Sequence, residues 1–146
     1  EGSETRGMEL QLTGALTERW AITTGYSYLD GEVQRADGTG NDGNRTRQTP
    51  EHMFSLWNSY QATDRLRLGL GVTYQDSFFI QEDNSVEVPS YTRVDGAVYY
   101  RLSDTMRLQL NVENLLDEDY FPDAHSNTNI TTGRPLSARL TLAIDL

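Results

Sequence analysis

Apolar side chains recur at every second residue over three stretches of the chain. Residues 66–74 set Leu66, Leu68, Leu70, Val72 and Tyr74 against Arg67, Gly69, Gly71 and Thr73. Residues 106–113 set Met106, Leu108, Leu110 and Val112 against Arg107, Gln109, Asn111 and Glu113. Residues 138–146 set Ala138, Leu140, Leu142, Ile144 and Leu146 against Arg139, Thr141, Ala143 and Asp145. A helix would spread these positions around its axis, whereas a strand sorts them onto two faces. Four stretches repeat the pattern more weakly. They carry Met8, Leu10, Leu12 and Leu16; Trp20, Ile22, Tyr26 and Tyr28; Phe54, Leu56 and Tyr60; and Val94, Val98, Tyr100 and Leu102 opposite Arg93, Asp95 and Arg101. The pattern predicts about seven strands, each near the roughly 9–11 residues that a tilted membrane strand needs.

The connections alternate in length. Thr17-Glu18-Arg19, Thr63-Asp64-Arg65 and Ser103-Asp104-Thr105 are short and polar, and long links fall between them at 36–51, 81–89 and 118–135. Short turns at one end and long loops at the other mark an outer-membrane barrel. The expected fold is therefore all-β, an antiparallel up-and-down transmembrane β-barrel segment. The long loops are expected to be extracellular and the short turns periplasmic. The run from Ala36 to Asn44 is rich in Gly, Asn and Asp, and is expected to bury nothing and to be mobile. Trp20, Tyr26, Tyr28, Tyr74, Phe78, Phe79, Tyr99 and Tyr100 lie toward strand ends or loops, as interfacial aromatic girdles do.

Composition narrows the function classes. The chain has 146 residues, a formal charge of −10, twelve Gly, eight Tyr, four Pro and no Cys. The acidic balance argues against nucleic acid as a partner. Without cysteine there is no disulfide, thiolate metal site or Cys nucleophile. The mean hydropathy of −0.61 fits a barrel whose strands are apolar on one face only. No nucleophile elbow, zinc-binding His pair or Gly-rich phosphate loop occurs, so no catalytic residues are assigned and an enzyme is not expected.

At the carboxy-terminal end, Leu108-Gln109-Leu110-Asn111-Val112-Glu113-Asn114-Leu115-Leu116-Asp117-Glu118-Asp119-Tyr120-Phe121 resembles the N-x-x-N-L-x-D-x-x-Y segment of TonB-dependent outer-membrane receptors. Gly133-Arg134-Pro135 is similar to that family's lead into its last strand. Ser3-Glu4-Thr5-Arg6-Gly7-Met8-Glu9-Leu10, Thr49-Pro50-Glu51-His52 and Val88-Pro89-Ser90-Tyr91-Thr92-Arg93-Val94-Asp95 resemble its other late-barrel segments, in the family's order. The combination looks most like the siderophore-receptor branch. Two departures stand out: Arg134 precedes Pro135 rather than following it, and Leu146 stands where the family ends in an aromatic.

The resemblance implies that residues 1–146 form the carboxy-terminal part of a barrel of about 22 strands, without the amino-terminal plug domain. Its activity is that of the larger receptor, energy-coupled uptake of ferric siderophores or similar chelates. No cofactor is expected, because iron arrives already held in the siderophore. The implied partners are outer-membrane lipid, the ferric siderophore, the TonB complex through the missing amino-terminal region, and the barrel-insertion machinery through the last strand. Structural roles in the family motifs fall to Asn111, Asn114, Leu115, Asp117, Tyr120, Gly133 and Pro135.

Chelate contacts are expected near the long loops, where Arg attracts anionic groups and aromatics stack on rings. The candidates are Arg45, Arg47, Tyr74, Phe78, Phe79, Tyr120, Phe121 and His125. No protein metal site is expected, since a lone His beside Asp123 does not make a convergent ligand set. The Asp37, Asn41, Asp42 and Asn44 group lacks the spacing of a calcium loop. Arg67, Gln75, Arg93, Asp95, Arg101, Arg107, Gln109, Asn111, Glu113 and Arg139 are expected to face the lumen. Two other folds share the alternation: a small self-contained outer-membrane barrel and a soluble β-sandwich binding module.

Overall fold

The computed structural model describes residues 2–34 and 40–145, so the expectations for residues 36–39, Asp37 among them, and for Leu146 lie outside the described residues. The strands in chain order are β1 (Gly2–Ala15), β2 (Trp20–Gln34), β3 (His52–Gln61), β4 (Leu66–Gln75), β5 (Phe78–Phe79), β6 (Glu87–Val88), β7 (Tyr91–Arg101), β8 (Met106–Glu113), β9 (Asp123–Ser126), β10 (Asn129–Thr131) and β11 (Ser137–Ile144). Seven of them form one antiparallel sheet in the order β1-β2-β3-β4-β7-β8-β11. The sheet is a meander, each strand beside its predecessor in the sheet. The pairs β5-β6 and β9-β10 are small hairpins inside the long connections. The alternation did not predict these four, because two to four residues are too few to show a period.

One arithmetic property organises the sheet. Every cross-strand partner pair joins two even or two odd residue numbers, as in Leu10↔Tyr26, Tyr26↔Phe54, Phe54↔Tyr74, Leu68↔Val98, Val98↔Leu110 and Leu110↔Leu140. Side chains alternate along a strand, so all even residues share one face and all odd residues the other. The even face carries Met8, Leu10, Leu12, Trp20, Leu68, Leu70, Val98, Leu140, Leu142 and Ile144, all exposed. Leu10 keeps 65% and Leu140 66% of its surface open. A continuous apolar face of this extent has no place in water, and it suits the hydrocarbon layer of a bilayer. The odd face holds Gln11, Thr23, Ser55, Arg67, Thr73, Arg93, Asp95, Arg107, Gln109, Asn111 and Arg139, among which only scattered apolar residues occur.

The two rival folds are not what forms. The strands make one sheet rather than two stacked sheets, and among the described residues β1 and β11 sit at opposite edges of it without pairing. The sheet is thus a wall segment, neither a sandwich nor a barrel closed on its own.

The three short turns share one construction. Leu16 N–H, Ala62 N–H and Leu102 N–H donate to the carbonyls of Trp20, Leu66 and Met106 at 2.8, 2.9 and 3.0 Å. Within each turn a hydroxyl accepts from the N–H two residues on: Thr17 from Arg19, Thr63 from Arg65 and Ser103 from Thr105. This is the local bond by which Ser and Thr favour turns. The carbonyls of Arg19, Arg65 and Thr105 then accept from Gln61, Arg101 and Asp145, so each turn is tied to the following strand.

At the other end β1 and β2 run longer than the alternation indicates, pairing out to Gly2 and Gln34. β2 continues to Gln34 because residues 43–51 lie beside it. Val33 exchanges bonds with Gly43 and Asn44, Thr46 N–H donates to Gly31, and Leu29 N–H donates to Glu51. The described part of the link expected to be loose is therefore tied down. Asn44 also donates its side-chain amide to the Glu82 carbonyl at 2.9 Å.

Candidate functional site: the loop cap and the inner wall

Three long connections, whose described residues are 40–51, 76–90 and 114–136, meet over the odd face at one end of the sheet. Their meeting point has its own small core of Phe78, Ile80, Val88 and Ala124, with Val86 and Phe121 packed against it. The cluster joins the second connection to the third. Polar bonds join the first to both. Arg45 N–H donates to the Asn84 side chain, whose amide donates back to the Arg45 carbonyl, both at 2.9 Å. Gln48, in the left-handed backbone region at φ 53°, donates its N–H to Phe79 and its side-chain amide to the Ala124 carbonyl at 2.7 Å. Gln75 on the inner face reaches the Pro122 carbonyl at 3.3 Å. The connections form one cross-linked cap rather than three independent loops.

The third connection is anchored by the Asn114 junction. Asn114 is wholly buried, with φ at 55°, a conformation that Asn tolerates better than other residues with a side chain. Its amide donates to the carbonyls of Glu118 and Arg134, and its carbonyl oxygen accepts from Glu118 N–H at 3.0 Å. Its own N–H donates to the Asp95 carboxylate at 2.9 Å. Asp117, also left-handed at φ 51°, accepts from Leu136 N–H at 2.8 Å. Leu115 donates its N–H to Val94 and lays its side chain over Gly96 on the even face, filling the gap where that strand lacks a side chain. One short motif thus ties the exit of β8 to the entry of β11.

Tyr120 completes the anchor on the inner face. Its buried ring lies directly against Gly133, where any Cβ would collide with it, and meets the Tyr91 ring at a tilt of 35°, 4.6 Å between centroids. Its hydroxyl accepts from the Arg93 guanidinium at 3.1 Å, and Arg93 pairs with Asp95 at 2.9 Å. Asp95 therefore links Arg93 and Tyr120 to the Asn114 junction. Tyr120→Phe removes an acceptor from a partly buried cation, a loss of about 1.5–3 kcal/mol. The expected outcome is faster proteolysis of the 114–136 connection, with the rest of the sheet unchanged.

The structure places the candidate contact residues in different settings. Phe78 is buried in the cap core and Phe121 packs against it. Arg45 lies over the Phe79 ring at 5.9 Å and pairs with Glu51 at 3.4 Å, so Arg45 and Phe79 are neighbours at the cap surface. Arg47 and His125 are exposed. Tyr74 is on the even face, its hydroxyl bonded to Asp76 at 3.3 Å, away from the inner wall. Tyr120 is held in the anchor just described. Of the motif residues, Asn111 accepts from Gln109 at 3.0 Å on the inner wall, and Pro135 is exposed between the bonded Arg134 and Leu136.

Two features of the wall were not singled out from the sequence. Trp57 is an odd residue, and its indole lies on the inner face against Gly69 and Gly71, where a Cβ would come within 2.5 and 2.6 Å of the ring. The parity of its strand was the signal that would have found it. Asn84, left-handed at φ 52°, fastens the second connection to the first. Its only signal was its residue type, since Asn favours such turns.

Comparison with known proteins agrees with this architecture. The family model described as TonB dependent receptor-like, beta-barrel matches residues 1–115. The chain is 33% identical over 148 residues to the probable TonB-dependent siderophore receptor PiuA of Acinetobacter baumannii, covering 94% of this chain and 20% of that protein. It is 34% identical over 119 residues to the catecholate siderophore receptor Fiu of Escherichia coli K12, covering 78% of this chain and 16% of that protein. The PiuA crystal structure superposes with a TM-score of 0.90 at 33% identity over 97% of this chain and 22% of that one. The closed form of Fiu gives 0.85 at 30% identity, over 97% of this chain and 21% of that one. The chain spans about a fifth of the length of these curated relatives.

Proposed function

This chain belongs to the TonB-dependent receptor β-barrel family, and from that premise we propose that it forms the carboxy-terminal wall of an outer-membrane receptor that takes up ferric siderophores or similar chelates with energy from the TonB complex. The observation that carries the reading is the single parity running through all seven strands, which gives an apolar outer face and a polar inner face. A wall of this kind needs neighbours. Its edge strands β1 and β11 present unpaired backbone groups, which lipid does not tolerate. The receptor therefore works as a larger closed barrel, with this segment as part of its circumference.

In this reading the connected cap is extracellular and the short turns are periplasmic. Arg45 with Phe79, and the exposed Arg47 and His125, are the side chains best placed to meet an arriving chelate. Phe78, Phe121 and Tyr120 shape the cap from within. Iron is cargo, carried by the siderophore, and the protein supplies no metal ligand. Barrel-insertion machinery acts on the last strand.

The test is uptake of radioactive iron by cells lacking their other siderophore receptors and expressing the whole receptor that contains this segment. Uptake from at least one class of ferric siderophore is expected, and it should vanish in a strain without TonB. Equal iron accumulation with and without TonB would defeat the proposal.

A further inference from the structure

On the lipid side of the sheet a shallow groove opens beside the first short turn. It takes up about 450 Å³ and is lined by Thr17, Glu18, Arg19, Trp20 and Tyr60. Trp20 and Tyr60 are cross-strand partners on the even face, and both are exposed. Aromatic residues at this level are ordinary for a membrane wall. The setting of the Trp20 ring is not. Its indole N–H donates to the Asn58 side chain at 3.2 Å. Asn58 pairs with Ile22, one pleat nearer the middle of the sheet than the Trp20–Tyr60 pair. The indole donor is therefore turned toward the apolar face, where it satisfies an amide that hydrocarbon could not. The ring, without its donor, borders the groove. The two charges of the groove are opposite and uncommitted. Glu18 and Arg19 are adjacent and exposed, and among the described residues neither side chain makes an ion pair or a hydrogen bond. It is the backbone N–H of Arg19 that bonds Thr17. The charged residues of the next turn, Asp64 and Arg65, line a recess on the opposite face.

We infer that this groove binds the headgroup of a zwitterionic aminophospholipid, with its phosphate on Arg19 and its ammonium on Glu18. Lipid covers a membrane wall, and charge complementarity selects which lipid settles here. A guanidinium matches phosphate oxygens with paired donors. The neighbouring carboxylate repels a second negative charge and takes a cation instead, and the faces of Trp20 and Tyr60 attract the same cation. Phosphoethanolamine carries both groups a few bonds apart. An anionic headgroup such as phosphoglycerol offers Glu18 no partner, and a chain of charge −10 does not draw anionic lipid by its overall field. Such a site needs the even face to meet lipid, whatever cargo the receptor carries.

The test uses the full-length receptor in bilayers of mixed phosphatidylethanolamine and phosphatidylglycerol. A trace of one lipid or the other carries a photoreactive diazirine close to its glycerol backbone, and the cross-linked residues are mapped by mass spectrometry. Labelling of Trp20 and Tyr60 is scaled to that of the other even-face residues. On this scale the phosphatidylethanolamine probe is expected to exceed the phosphatidylglycerol probe about threefold, the size of effect that one exposed ion pair supports. Glu18→Gln should abolish the preference and Glu18→Lys should reverse it. Arg19→Gln should lower labelling by both probes, and Arg19→Lys should retain it. Both positions are exposed, and the turn is held by backbone groups and the Thr17 hydroxyl, so these variants should assemble. Heat-modifiable mobility checks that they do. Equal scaled labelling by the two probes overturns the inference, as does a preference for phosphatidylglycerol in the parent or labelling unmoved by the Glu18 and Arg19 substitutions. Iron uptake by the unsubstituted receptor is measured alongside. Its absence counts against the uptake function alone, because the labelling is read independently of transport.

Discussion

Leu12→Arg lowers the stability of the assembled barrel by about 2–4 kcal/mol, while Gln11→Arg, one residue earlier, leaves it within about 0.5 kcal/mol. The two positions are adjacent on one strand and face opposite sides of the sheet. Leu12 is the middle of the apolar run from Met8 to Leu16, is 55% exposed, and faces the lipid side. An arginine there must either enter hydrocarbon or bend toward the interface, and both are unfavourable. Gln11 faces the wettable side, where the same strand face already carries Glu9 and Thr13. Urea unfolding of the receptor from lipid vesicles measures both. Equal losses at the two positions would mean that the faces are not distinguished by solvent.

Asn114→Leu is expected to weaken the cap end by about 3–5 kcal/mol, the range for breaking a buried polar junction. The substitution strands Glu118 N–H and the Glu118 and Arg134 carbonyls, which bond to the Asn114 side chain. It also forces a branched side chain into φ 55°. Asn114→Gly loses the same bonds but accepts the backbone angle, so it should be milder by about 1 kcal/mol. Cleavage after Glu118 by a glutamate-specific protease reports the effect locally: rapid in the Leu variant, intermediate in the Gly variant and slow in the parent. If Asn114→Leu were cleaved no faster than the parent, the junction would not be what holds this connection.

These two effects also show what the sequence makes legible. The sheet could be read because its signal is periodic. Met106, Leu108, Leu110 and Val112 identify a strand and its lipid face without any partner, and the short turns carry their own hydroxyl chemistry at Thr17, Thr63 and Ser103. The cap could not be read this way. Phe78, Ile80, Val88 and Ala124 share no period, and they form a core only because two connections cross. Arg93 and Tyr120 are 27 residues apart, and nothing local announces that one bonds the other. Phe78 looked suited to a ligand by residue type, yet burial is set by tertiary packing, which places it inside the cap. The same limit applies to Gly-, Asn- and Asp-rich links. Their composition predicts looseness, but Asn44 and Asn84 use their side chains to fasten the backbone instead.

The central claim is that one parity separates lipid from water across the whole sheet. The chain contains no cysteine, so a single introduced cysteine carries the only spin label in this stretch. A nitroxide scan along residues 66–74 and 106–113 of the receptor in lipid bilayers should show accessibility to molecular oxygen peaking at every even position. Accessibility to a water-soluble nickel chelate should peak at every odd position, with the same phase in both strands. A scan without a two-residue period, or one whose phase reverses between the two strands, would contradict the account.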